Sequence, residues 1–236
     1  GTGVLRKDGV HVHVVAGAPE GLARQAGHRH LDHLSIAVSW RGDEIVSDTG
    51  TGKYYSNEEW RNYARSEVAH SGVYSEGASW GEIRNLFEIT EPTIGEIGEL
   101  ENGIIASTEH PSRGLFTREI QVVGTEIRIL DKLGGRRPMV NFIFPKNVEI
   151  SFEGGKMIVE GDNWIFSREI GDGEVRGNTF GDFDLMKKEL KEGECIISHG
   201  YGLFDVGKSY RISHREDEEI ETISKRKDSL YRPFYC

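Results

Sequence analysis

Residues 27–40 read GHRHLDHLSIAVSW and join a polar cluster to an alternating apolar run. Successive side chains of an extended chain point to opposite faces. If the whole stretch is a strand, His28, His30 and Asp32 lie on the same face as Leu34 and the apolar residues that alternate after it. Buried polar groups need partners, because an unpaired polar group is costly to desolvate. A metal ion is one such partner, since neutral imidazole is a favoured zinc ligand.

Two further candidate ligands follow this cluster. Asp48 lies in the stretch SDTGT, and His70 lies in the stretch VAHS. Residues 41–43 (RGD) predict a tight turn, because glycine tolerates a positive φ. A return strand over residues 44–48 would then bring Asp48 back beside His30. Nine histidines scattered over the chain are the alternative explanation, because a single His-x-His is a weak signal.

The composition is that of one large β domain or two small ones. The 236 residues include 30 glycines and only 6 prolines, and a hydrophobic fraction of 36% suits a sheet protein with one solvated face. A net charge of −10 argues against binding nucleic acid through its phosphates, but Arg and Lys can still cluster locally on an anionic polysaccharide. No apolar run is long enough to predict a membrane span.

The two ends and the cysteines give little information about the compartment. The first residue is Gly1 and no signal-peptide apolar core follows it, so we interpret the N-terminus as a processing or cloning boundary. Cys195 and Cys236 are far apart in the sequence, and two cysteines do not imply a disulfide framework.

Short strand-like segments separated by glycine-containing turns follow one another along most of the chain. Their spacing is typical of a β-sandwich, and no repeat or linker divides the sequence. The predicted fold is therefore all-β: a large antiparallel β-sandwich of two packed sheets with little helix, forming a single domain over residues 1–236. The segments predicted as strands are 10–15, 34–40, 44–48, 82–90, 103–108, 115–123, 125–133, 139–144, 147–152, 156–160, 163–169, 194–198, 209–213 and 220–223.

The segment from Gly50 to Arg65 is rich in aromatic and basic side chains, and a short helix is predicted within residues 57–65. Aromatic rings suit stacking on sugars, and guanidinium groups suit pairing with carboxylates. A loop pinned by buried aromatic rings would have the same composition. The candidates for substrate contact are Tyr54, Tyr55, Arg61 and Arg65.

Taken together, the motifs resemble the heparinase II/III-like family of polysaccharide lyases. Members of that family have an N-terminal α/α toroid and a C-terminal β-sandwich, and this chain resembles the second part only. The resemblance implies that the toroid is absent from this chain and is its partner domain in the intact protein. The matching stretches are GHRHLD (27–32), SDTGT (47–51), RS (65–66), AHS (69–71), TREI (117–120), ILDKLG (129–134) and SHGYG (198–202).

The resemblance also implies a site and a reaction. It implies zinc (Zn2+) bound by His30, Asp48 and His70, and His28 as the active-site histidine. The reaction is β-elimination in an anionic, uronate-containing polysaccharide, such as a glycosaminoglycan or alginate. A tyrosine of the toroid would perform the other proton transfer, so this chain alone is expected to be inactive. A periplasmic or secreted location is what the family implies.

Several alternatives stay open on the sequence. The zinc is interpreted as structural, although two imidazoles and one carboxylate would also suit a hydrolytic zinc. His28 would then be either the active-site histidine or a residue that orients the zinc site. A cupin-like metalloenzyme would use a similar set of ligands for iron or manganese, but would place its carboxylate closer to the histidine pair than Asp48 is. A non-catalytic carbohydrate-binding sandwich would have no need of His28.

Overall fold

A computed structural model describes residues 1–18, 28–51, 58–85, 87–90, 93–171, 173–178, 190–200, 203–214 and 218–226. Within these ranges the chain is mostly strand, with one α-helix, α1 (Glu58–Ala64), and a 3₁₀ turn (Glu67–Ala69). None of the described helices is long and apolar enough to cross a membrane. The strands are β1 (Thr2–Lys7), β2 (Val10–Val15), β3 (Ser35–Trp40), β4 (Asp43–Val46), β5 (Val73–Ser75), β6 (Glu82–Asn85), β7 (Glu88–Thr90), β8 (Gly95–Leu100), β9 (Gly103–His110), β10 (Gly114–Val123), β11 (Glu126–Leu133), β12 (Pro138–Phe144), β13 (Glu149–Glu153), β14 (Lys156–Glu160), β15 (Trp164–Glu169), β16 (Glu174–Gly177), β17 (Glu194–Gly200), β18 (Leu203–Ser213) and β19 (Glu218–Arg226).

The strands form antiparallel sheets, which confirms the predicted all-β sandwich. The largest sheet has eight strands in the order β13-β14-β15-β19-β11-β10-β9-β8, so β19 lies between β15 and β11. The other layer is divided between a four-stranded sheet, β1-β2-β3-β4, and a five-stranded sheet, β16-β18-β12-β5 with β17 also paired to β18. A hydrogen bond from Ser47 N to Ile143 O (2.8 Å) joins the end of β4 to β12.

The core lies between the eight-stranded sheet and the two smaller sheets. Side chains of β2, β3, β10, β11, β12 and β15 belong to one buried apolar cluster. On β2 Val10, Val12 and Val14 are buried while His11 and His13 are exposed, as a period of two predicts. On β12 all seven residues are buried, because both faces of this strand are covered. Its outer face is covered in part by the segment that carries His70.

The strand predicted from the histidine cluster begins later than expected. β3 starts at Ser35, and residues 28–34 form a loop with Leu34 at φ 53°. The backbone of this loop bonds to the segment after α1, through Leu31 N and Arg65 O (2.8 Å), instead of joining a strand ladder. The prediction that His28, His30 and Asp32 share a strand face is therefore wrong. The β3–β4 hairpin and its turn at residues 41–42 are confirmed.

Candidate functional site

Three chain segments meet at the predicted site: the loop 28–34, residues 47–51 after β4, and residues 65–72 after α1. Ser71 Oγ donates to Ser47 O (2.8 Å), which joins the second and third segments. Ile36 N donates to Ser71 O (3.1 Å), which joins the third segment to the start of β3. The site is thus assembled from segments that are distant in the sequence but tied together by backbone hydrogen bonds.

His70 and Asp48 form a direct pair at the centre of this junction. Nδ1 of His70 lies 2.7 Å from Oδ2 of Asp48, and the imidazole is buried. The other carboxylate oxygen of Asp48 accepts from Gly50 N (2.8 Å). Asn141 on β12 donates from Nδ2 to His70 O (2.9 Å), which fixes the backbone at His70 against the five-stranded sheet. The Asp48 carboxylate and the backbone at His70 are therefore each held by a further hydrogen bond.

His30 lies next to this pair. The ring centroids of His30 and His70 are 5.0 Å apart, so the structure brings all three predicted ligands together. Burial, together with the positive charge of nearby His70, lowers the pKa of His30 to about 3, and the ring is neutral at physiological pH. Burial also disfavours the charged form of His70, but the adjacent Asp48 carboxylate outweighs it and raises the pKa of His70 to about 9.

The two aspartates of the site differ in their protonation behaviour. Burial would raise the pKa of Asp48, but the charge and the hydrogen bond of His70 lower it below its ordinary value. For Asp32 burial prevails and the pKa is raised, although His70 acts in the opposite direction. Asp48 is therefore the anionic partner of His70.

The side chains of His30, Asp48 and His70 are of the types that bind zinc. Nε2 of His70 is buried and has no hydrogen-bond partner of normal geometry among the described residues, although the Ala64 carbonyl is near enough to raise the pKa of this histidine. A metal ion would satisfy such a nitrogen. Within the described part of the chain, however, no group of three or more His, Cys, Asp or Glu side chains is already arranged around a common metal position.

His28 lies at the start of the same loop, with an exposed side chain. It is only two residues from His30 in the sequence. Its side chain is exposed to solvent, whereas the ring of His70 is buried. A ligand in solution can therefore reach His28 without entering the buried junction.

The predicted substrate contacts lie in different environments. Arg61 and Arg65 are fully buried. Arg65 donates from Nε to Arg29 O (3.1 Å) and from Nη1 to Asn85 O (2.8 Å), so it holds the histidine loop in place. Contact of these arginines with substrate stays a prediction. Tyr54 and Tyr55 lie outside the described residues.

A buried ionic cluster lies beneath the site and was not predicted from the sequence. Asp131 accepts from Arg118 Nε (2.6 Å) and from Arg168 Nη1 (2.7 Å), and all three side chains are fully buried. Nη1 of Arg118 also donates to Leu34 O (2.6 Å) and Ser71 O (3.0 Å), so the cluster contacts two of the three site segments. The sequence contains one indication of this cluster. In the alternating pattern of β10, Arg118 occupies an inward-facing position between two buried apolar residues.

The model described as "Heparinase II/III-like, C-terminal" matches residues 1–223. The chain belongs to this family. No curated protein matches the chain significantly. The family match replaces the cupin-like interpretation.

Solved structures of heparinases share the fold of this heparinase II/III-like chain. A heparinase III, the BT4657 gene product, is 18% identical with a TM-score of 0.66, and the match covers 97% of this chain and 35% of that one. A second heparinase III structure is 12% identical with a TM-score of 0.69, and the match covers 99% of this chain and 36% of that one. The heparan sulfate lyase HepC from Pedobacter heparinus is 12% identical with a TM-score of 0.66, covering 93% and 33%. This chain spans about a third of the length of these structures.

Proposed function

We propose that this chain is the β-sandwich module of a polysaccharide lyase that cleaves a uronate-containing polysaccharide by β-elimination. The observation that carries the proposal is the convergence of His30, Asp48 and His70 beside exposed His28, in a chain of the heparinase II/III-like family. The similar structures, heparinase III and heparan sulfate lyase, support an acidic polysaccharide as the substrate class.

In the substrate the reaction breaks the C5–H and C4–O bonds and forms a C4–C5 π bond and an O–H bond on the leaving group. A base removes the proton at C5 of the uronate, and the electron pair of that C–H bond forms a double bond between C4 and C5. The C4–O bond breaks, and its electron pair leaves with the glycosidic oxygen, which takes a proton from an acid. The C5 proton is only weakly acidic, so the neighbouring carboxylate must be neutralised as negative charge develops.

His28 is the residue of this chain that we assign to the reacting sugar. Imidazole gains and loses protons near neutral pH, which suits it to proton transfer or to neutralising the carboxylate. Its exposed position on the loop leaves it accessible to a polymer. The second proton transfer requires a group that we assign to the N-terminal toroid domain, so the isolated chain is expected to show little or no turnover.

We further propose that His30, Asp48 and His70 bind Zn2+. Imidazoles and a carboxylate are zinc ligands, and the ring of His70 would give up its proton when the metal binds. Nε2 of His70, which has no hydrogen-bond partner of normal geometry among the described residues, supports the assignment. When bound, the ion would supply a cross-link between the histidine loop, the end of the β3–β4 hairpin and the segment before β5. Its role is therefore structural, and it positions His28.

The test compares two histidine substitutions in the full gene product that contains this chain. His28→Ala should reduce turnover by about 10²- to 10⁴-fold, because a general acid–base or electrostatic contribution is lost. Zinc content and melting temperature should stay nearly unchanged. His30→Ala should lose the metal and lower the melting temperature, since binding of a structural zinc is coupled to folding. Turnover is followed by the absorbance of the unsaturated product, and zinc by elemental analysis.

His11→Ala is the matched control, because His11 is an exposed histidine of β2. It should change neither turnover nor zinc content. Loss of zinc in both His28→Ala and His30→Ala would make His28 a ligand and contradict the division of roles. Binding of uronate oligosaccharides without any unsaturated product would instead support a carbohydrate-binding module.

A further inference from the structure

A second polar site lies on the five-stranded sheet, where β5, β12, β16 and β18 lie side by side. Here the described residues enclose a groove of about 620 Å³, which Arg137, Arg176 and Arg211 line. A neighbouring cavity of about 290 Å³ shares Arg137 and adds Arg113 and Arg136. We call these five residues and the space between them the arginine groove.

The arginine groove carries an excess of positive charge. Its described lining contains five arginines but only two carboxylates, Glu76 and Glu174, which leaves a local charge of +3. Glu76 pairs with Arg137 (2.7 Å) and Glu174 with Arg176 (2.9 Å). This concentration stands out in a chain whose net charge is −10.

Two of the arginines face each other across neighbouring strands. In the register of β16 and β18, Arg176 lies directly opposite Arg211. Like charges at directly opposite positions destabilise a sheet. Nε of Arg211 is also buried and has no hydrogen-bond partner of normal geometry among the described residues, although the Tyr74 hydroxyl lies near enough to interact with this guanidinium. An anion between the two guanidinium groups would relieve the repulsion and accept a hydrogen bond of good geometry from Arg211 Nε.

The shape and chemistry of the groove favour an oxyanion. Guanidinium groups present planar pairs of N–H donors that match the oxygens of carboxylates and sulfates. The volume of about 620 Å³ falls within the range of small-ligand sites. A few acidic groups on a flexible saccharide fit such a groove. A long nucleic acid would meet the negative charge of the remaining surface.

The arginine groove is joined to the histidine site through one residue of β12. Asn141 donates to His70 O (2.9 Å), and it lies opposite Arg211 in the register of β12 and β18. One side of Asn141 therefore contacts the predicted zinc ligand, while the adjacent strand carries an arginine of the groove. Because paired residues of neighbouring strands point to the same side, Asn141 and Arg211 share one face of this sheet.

We propose that the arginine groove binds an acidic group, a carboxylate or a sulfate, of an acidic polysaccharide, at a position separate from the sugar that contacts His28. The identity of the carrier as a polysaccharide rests on the proposed function. The binding of the anion itself requires neither zinc nor His28, so the two proposals fail independently.

The test is isothermal titration calorimetry of this chain at low ionic strength with three probes. They are a sulfated uronate-containing disaccharide, the same disaccharide without sulfate, and sodium sulfate. Arg176→Gln should weaken binding of the preferred disaccharide by about tenfold, because it removes a charge-assisted hydrogen bond. Arg136→Gln, in the adjacent cavity, should weaken it in the same direction. Tighter binding of the sulfated probe would assign the group to sulfate, and equal binding would assign it to carboxylate.

Arg128→Gln is the matched control on the eight-stranded sheet. Arg128 pairs with Glu126 through Nε (3.1 Å) and Nη2 (2.9 Å), the same geometry that joins Arg176 to Glu174. It should leave binding unchanged. Equal weakening by Arg128→Gln, no weakening by Arg176→Gln, or sodium sulfate that binds as tightly as both disaccharides would overturn the proposal. The titration measures no turnover, so its failure would leave the lyase assignment standing.

Discussion

Gly50 shows how strongly a single residue constrains the site. Its φ is 72°, and a Cβ at this position would lie 2.8 Å from Ser198 O. Gly50→Ala should therefore combine the cost of a left-handed conformation with that of a backbone contact, together about 2–5 kcal/mol in the free energy of unfolding. Urea denaturation measures the change.

The control for this change is Gly124 in the β10–β11 turn. Its φ is 60°, but a Cβ there would meet no atom within 4 Å. Gly124→Ala should cost only the conformational part, about 1–2 kcal/mol. If both substitutions had the same effect, the close approach of Ser198 to Gly50 would have no energetic weight.

Among the contacts between strands, the buried ionic cluster is expected to contribute strongly to stability. Arg118 on β10 joins Asp131 on β11 to the carbonyls of Leu34 and Ser71. Arg118→Met should destabilise the fold by about 3–5 kcal/mol, because it leaves a buried carboxylate with one partner fewer and two carbonyls without this donor. Chemical denaturation gives the value.

Arg128→Met provides the comparison on the outer face of β11. Its ion pair with Glu126 is partly exposed, so its removal should change stability little. A small effect of Arg118→Met, similar to that of Arg128→Met, would show that the buried cluster is not a stabilising link between the sheets.

The elements that sequence patterns predicted are those with local partners. The β3–β4 hairpin, the helix within residues 57–65 and most strands from β9 to β15 follow from alternation and turn residues. The start of β3 did not follow from these patterns. The loop before it is held by a hydrogen bond from Leu31 to Arg65, which is distant in the sequence. Strands β1, β5, β8 and β16 were also missed, since all four lie at a sheet edge and two of them, β5 and β16, are short. The arginine groove was missed because its members come from four separate strands and turns.

At the scale of the whole molecule, we expect three histidines with shifted pKa values, His30, His33 and His70, to give stability a maximum in pH. Burial lowers the pKa of His30 to about 3 and that of His33 to about 4, so both bind protons in the unfolded chain before they do so in the folded one. Their contribution is present above about pH 6.5 and is lost as pH falls toward those values. The pKa of His70, which Asp48 raises to about 9 against the effect of burial, contributes the opposite slope. That contribution is present below about pH 6.5 and is lost as pH rises toward 9.

We therefore expect the metal-free chain, kept in chelator, to be most stable near pH 6.5. Urea midpoints measured from pH 4 to pH 9 test this expectation. His33→Gln should make stability fall less steeply below pH 6.5, since it keeps a donor near Thr93 O but removes the titrating ring. Asp48→Asn should make stability fall less steeply above pH 6.5, because it removes the carboxylate that raises the pKa of His70. A stability that rises steadily from pH 6.5 to pH 9 would contradict the charged state assigned to His70.

The position of β19 has a consequence for the order of folding. β15 and β11 are both hydrogen-bonded to β19, which is the last described strand of the chain. Until β19 pairs, the eight-stranded sheet consists of two separate hairpin arrays, each with an open edge. Closing such long-range contacts is slow, and open strand edges favour association with other chains. We expect the slow phase of refolding to be the insertion of β19, and the intermediate that precedes it to be the species most prone to aggregate.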